Sequence, residues 1–215
     1  MSGPAHRRHE LEYGIMGGMM QLFIGTLLKF FFLMTPFFAL SMFLAMTPEM
    51  TEEERDRLAN RVIAAAWIIT MLLFLCGQFI FRAFGISVDA FRIGAGALLF
   101  LSAVALMNPK VNPGERRQGA DIAVVPLAMP VIIGPATCGS LFVMGAELGD
   151  WSARLVMMAA ITVALYGLWV ILRMAAWIER HLGMHGLSIL MRLTGLILSA
   201  LSAQMIMTGV VAFLK

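Results

Sequence analysis

Six stretches of this 215-residue chain stay apolar for about twenty residues or more, and that pattern limits the fold more than any other feature. They cover about residues 18–46, 61–81, 86–107, 122–146, 154–178 and 187–213. About 20 apolar residues in a helix cross a hydrocarbon core of about 30 Å. Inside that core the backbone must satisfy its own polar groups, which a helix does within one segment. The expected fold is therefore an all-α polytopic membrane protein with six transmembrane helices. A short N-terminal tail over 1–17 precedes a single six-span membrane domain over 18–215. The tail precedes an apolar run longer than a signal peptide's core and carries no small-residue cleavage site, so it reads as retained.

Composition agrees. Hydrophobic residues make up 60% and charged residues 13%, against about 25% charged in an ordinary soluble domain. A net charge of +3, scattered in short clusters, does not suit nucleic-acid binding. Both cysteines, Cys76 and Cys138, fall inside expected spans, where they read as small apolar packing residues and not as a disulfide or metal set.

Breaks between the spans carry local signals. Thr51 followed by Glu54 reads as a capping box for the second long helix. Asn108-Pro109 and Asn112-Pro113-Gly114 mark a turn-rich loop. Asp150 is placed to cap the fifth span. Lys and Arg are more frequent in loops one, three and five, through Arg55, Arg57, Lys110, Arg116, Arg117, Arg173 and Arg180. The other side carries Arg7, Arg8, Arg82, Arg154 and Lys215. That bias puts both termini on the outer, periplasmic side of a bacterial inner membrane.

The chain also resembles itself at offsets of 98 to 100 residues. Thr35-Pro36 matches Gly134-Pro135, Ser41 matches Ser140, and Phe84-Gly85 matches Leu182-Gly183. Arg92 matches Arg192, and Leu101-Ser102-Ala103 matches Leu201-Ser202-Ala203. The repeats cover about 18–107 and 120–214. Because three spans is an odd number, the second copy must enter the membrane from the opposite side. Two inverted three-helix repeats around a midplane site are a recurring plan of secondary transporters.

Candidate binding residues follow from the interruptions. Pro36 lies within the first span; Pro126, Pro130 and Pro135 lie within the fourth. An internal proline removes a backbone donor and clashes with the carbonyl four residues back. In a membrane the freed groups must face protein or a cavity. Half-helix ends can hold the carboxylate and ammonium of a zwitterion, or an ion, without a charged side chain. The substrate-binding candidates are Thr35, Pro36, Ser41, Gly134, Pro135, Thr137 and Ser140. Gln78, Arg92, Arg192 and Gln204 are secondary candidates. The two arginines lie early in their spans, where they read first as interface anchors. Lys29 is read as reaching along its stem toward an interface.

His181 and His185 stand four apart, but Gly183 and Gly186 are expected to break any helix there, so no metal site is expected. No nucleophile–base pair, phosphate loop or zinc motif occurs, so neither enzymatic activity nor a cofactor is expected.

Several of these runs resemble the MarC family, also called the neutral amino acid transporter family. Phe84-Gly85-Ile86-Ser87, continued from Ala90 through Phe100, is similar to the family's third-span signature. Pro126 through Pro130 leading to Gly134-Pro135 is similar to its fourth, and Arg192 through Gly209 to its sixth. The resemblance implies a six-span inner-membrane protein. For some relatives it also implies sodium- or proton-coupled movement of neutral amino acids such as glycine and alanine. Two positions depart from the family pattern. Asn-Pro-x-Gly is replaced by Thr35-Pro36-Phe37-Phe38, which removes an amide and adds bulk, and Gly-Pro-Gly by Gly134-Pro135-Ala136. The expected function is secondary transport of a small neutral solute across the lipid bilayer. The alternative is a non-transporting membrane protein with a structural or stress-related partner role.

Overall fold

The computed structural model describes residues 4–107, 132–147 and 150–214. They form seven helices: α1 (Pro4–Leu33), α2 (Pro36–Met46), α3 (Glu52–Phe84), α4 (Val88–Met107), α5 (Pro135–Glu147), α6 (Trp151–Arg173) and α7 (Ala175–Phe213). No strand occurs among the described residues. Five segments among them are long and apolar enough to cross a membrane: Gly17–Met46, Glu52–Gly77, Val88–Met107, Trp151–Arg173 and His185–Phe213. The expected fourth span lies partly outside the described residues, as do the Asn108–Gly114 loop signals, Pro126 and Pro130.

Local chemistry sets the helix boundaries. The Thr51 hydroxyl accepts the Glu54 amide at 3.3 Å, and the Glu54 carboxylate accepts the Thr51 amide at 2.8 Å, which completes the expected capping box. Asp150 accepts the Ser152 amide at 3.3 Å and starts α6. Arg55 reaches back from α3 to the Thr47 carbonyl at 2.7 Å and fixes the turn after α2.

Three boundaries differ from the sequence expectation. First, α1 begins at Pro4, so much of the expected tail continues the first helix. Nothing between Pro4 and Leu33 removes an interior donor. Second, the first span is two helices. Pro36 disfavours helical geometry at the residue before it, and Thr35 turns to φ 47°, the only non-glycine residue with positive φ among those described. Third, the expected fifth loop is largely helical. α6 ends at Arg173, and α7, starting after the single cap residue Met174, runs on past His181, whose ring bonds the Trp177 carbonyl at 2.8 Å. Of the two glycines there, Gly183 alone leaves helical geometry, at φ 61°. Gly85, at the end of α3, has φ 64° and is the repeat equivalent of Gly183. Only glycine enters that region at no steric cost.

α4 packs along the second part of α7, α1 against α6, and α3 against both α5 and α6. Phe30, Leu40, Phe43, Phe74, Leu141, Leu165 and Leu168 form the buried centre. Exposed apolar side chains such as Leu72, Phe79, Leu101, Leu193 and Met207 cover the outside, as expected of surface meeting lipid tails. Cys76 belongs to that exposed surface and is not a packing residue; Cys138 is half-buried against the core.

Glycines set the closest helix contacts. A β-carbon at Gly96 would meet the Ser202 carbonyl at 3.2 Å and Ile206; one at Gly195 would meet the Ala103 carbonyl at 3.0 Å and Met107. The two contact sets are one set shifted by 99 residues, and they show α4 and α7 crossing in opposite senses. Gly145 of α5 faces the Phe74 carbonyl of α3 so closely that a β-carbon would collide with it.

Candidate functional site

The two interruptions lie against each other. Thr137, in the first turn of α5, is buried and donates its hydroxyl to the Leu33 carbonyl at the end of α1, at 3.3 Å. A carbonyl freed by the Thr35-Pro36 break is thus satisfied by the other half of the chain. Pro36 is buried and Thr35 half-buried, while the Gly134 carbonyl accepts the Cys138 amide at 3.0 Å as α5 starts. Phe30, Leu33, Met34, Ile132, Ile133 and Leu141 pack around this junction, so the breaks themselves are closed.

Open space begins one turn further on. A cavity of about 260 Å³ lies among α1, α4, α5 and α7. Its polar lining is Lys29, Arg92, Ser140, Glu147, Gln204 and Thr208; Val143, Met144, Leu201 and Met205 complete the wall. Pockets for drug-sized ligands span about 300–1,000 Å³, so this one suits a smaller solute.

Arg92 turns into the bundle, with its side chain only 11% exposed. It bonds Asp89 at 3.0 Å, one turn earlier on α4, and pairs with Glu147 at the end of α5. Lys29 also lines the cavity. Among the described residues no carboxylate forms an ion pair with it. Ionisable groups within spans are costly unless they face a cavity or one another; Arg92 does both, and Lys29 faces the cavity.

The repeat is uneven at this point. Ser140 lines the cavity with its hydroxyl 3.8 Å from the Met205 sulfur, whereas the Ser41 hydroxyl is buried without a hydrogen-bond partner. Arg192 is exposed on α7, unlike Arg92. Of the candidates read from sequence, the fold brings Ser140, Arg92 and Gln204 together at the cavity and Thr35, Pro36, Gly134, Pro135 and Thr137 to the junction beside it. Ser41 and Arg192 lie elsewhere, and the Gln78 side chain lies outside the described residues. Lys29 and Glu147 as cavity residues escaped the sequence reading. The usable signal was the presence of an acid and a base within otherwise apolar spans.

Helices of this length, with apolar side chains covering their outer surface, define a multi-pass α-helical integral membrane protein. The chain belongs to the MarC family: the family described as MarC family integral membrane protein matches residues 20–214. Its relatives include a UPF0056 membrane protein of Methanocaldococcus jannaschii, 31% identical over 89% of this chain and 97% of its own length. Another is the UPF0056 membrane protein YhcE of Escherichia coli, 31% identical over 88% of this chain and 90% of its own. The UPF0056 membrane protein YvbG of Bacillus subtilis is 27% identical over 89% of this chain and 95% of its own. No solved structure matches.

Proposed function

We propose that this protein is a secondary transporter of small neutral amino acids or similar solutes in a bacterial inner membrane, with both termini periplasmic. The observation that carries the reading is the small cavity walled by Lys29, Arg92, Glu147 and Gln204 inside membrane-crossing helices. Charges in such a place cost several kcal/mol in hydrocarbon and are usually kept for a substrate, ion or proton path. The opposed crossing of α4 and α7 at Gly96 and Gly195 supports an inverted pair of three-helix halves. It is the contact that a two-fold axis in the membrane plane would create. Glu147 is a carboxylate on which a coupling sodium ion or proton could act. No catalysis is part of this reading.

The non-transporting alternative draws its support from the apolar packing of Phe30, Ile132 and Ile133 at the junction. Uptake of labelled glycine, alanine and serine into proteoliposomes, with and without sodium or proton gradients, separates the two. Gradient-dependent accumulation of at least one solute is expected; no flux of any of them under either gradient would remove the transporter reading.

A further inference from the structure

The cavity wall carries charges of both signs. Arg92 is engaged by two carboxylates, Asp89 at 3.0 Å and Glu147. One guanidinium between two carboxylates leaves that cluster one negative charge in excess. Glu147 keeps 46% of its side chain exposed, so its carboxylate has room to accept from a further donor. Lys29 lines the same space from α1, near enough to Arg92 for the two cations to repel, and has no ion-paired carboxylate among the described residues. The unmatched charges are thus one cation on α1 and one anion at the end of α5.

A solute neutralises both only if it carries an anionic and a cationic group together. A carboxylate alone would be met by Lys29 and repelled by the acidic cluster, and an amine alone would meet the reverse. Ser140, Gln204 and Thr208 add neutral hydrogen-bonding groups that leave this balance unchanged.

Resting on the transporter reading, we propose that Lys29 and Glu147 are the specificity-determining residues of this cavity. Lys29 takes the carboxylate of the solute and Glu147 its ammonium, so that only zwitterions are held well. The polarity is fixed by which helix supplies which charge.

The test uses the full chain in lipid nanodiscs and measures binding of alanine, propionate and ethylamine by calorimetry. For the wild type, alanine is expected to bind more tightly than either singly charged fragment. Lys29→Met should weaken alanine about ten- to a hundred-fold, the size of a lost charge-assisted hydrogen bond, and leave ethylamine no weaker. Glu147→Gln should weaken alanine and ethylamine but strengthen propionate. Lys29→Arg keeps the charge and should retain alanine binding, which separates lost recognition from lost folding. Should Lys29→Met not fold, the opposite responses of propionate and ethylamine to Glu147→Gln still decide the matter. Equal weakening of all three ligands by either variant, or wild-type alanine affinity in both, overturns the assignment and leaves transport standing. Failure of the wild type to bind or move alanine, glycine or serine overturns both.

Discussion

The hydroxyl of Thr137 donates to the main-chain carbonyl of Leu33 across 104 positions of sequence, and so joins the first turn of α5 to the last turn of α1. Thr137→Val keeps the shape and removes the donor. Interhelical hydrogen bonds in membranes average about 0.6 kcal/mol and reach about 1.7. A loss toward the upper end is expected because the Leu33 carbonyl would be left buried beside the break. Unfolding in mixed micelles measures it; an unchanged midpoint would mean that the carbonyl finds another donor.

Thr35 holds a left-handed backbone that a β-branched residue adopts at a cost of about 1–2 kcal/mol. Asn tolerates that region better, so Thr35→Asn is expected to raise the thermal midpoint. A lower midpoint would show that the Thr side chain contributes more to packing than the backbone loses.

Close helix approach yields a paired comparison. Gly145→Ala drives a methyl into the Phe74 carbonyl and is expected to destabilise by about 1–3 kcal/mol, the usual range for overpacking. Gly25→Ala meets nothing within 4 Å and should be neutral or slightly stabilising, since Ala is the better helix former. Similar effects at both sites would contradict the α3–α5 contact.

Acid should act on the cap of α6. The hydroxyl and amide of Ser152 hold the Asp150 carboxyl below the usual carboxylate range. A lowered folded-state pKa means a contribution fully present above the unfolded value, near 3.8, and lost as pH falls through the lower folded one. Asp150→Ala should therefore lower the midpoint at pH 7, with the difference from wild type shrinking only in strong acid. A difference that grew on acidification would reverse the sign of this argument.

Much of the architecture could be read before any coordinates, because apolar run length and proline placement act locally. The Thr51–Glu54 box and the Asp150 cap are set by residues three or fewer apart, and both are where the sequence put them. The break at Pro36 was legible for the same reason. The inward turn of Arg92 was not. Arg92 and Arg192 have equivalent places in the repeat, and what separates them is Glu147 on α5, visible only once the helices are packed. The cavity beside Lys29 was not legible either: one apolar span says nothing of the polar groups that neighbouring helices present. The break at Gly183 was legible, but the helix on either side of it was not, because glycine only permits a break and Gly186 did not use that freedom.

Gly96 rests against Ser202 and Ile206, Gly195 against Ala103 and Met107, and Gly209 against Asp89 and Ile93, so α4 and the second part of α7 touch backbone to side chain at three places spread along their length. Two rods pressed together at a single point can swivel about it, but rods pressed together at three cannot. These two helices therefore travel as one stiff plank, and any rearrangement of the bundle has to take place along other seams.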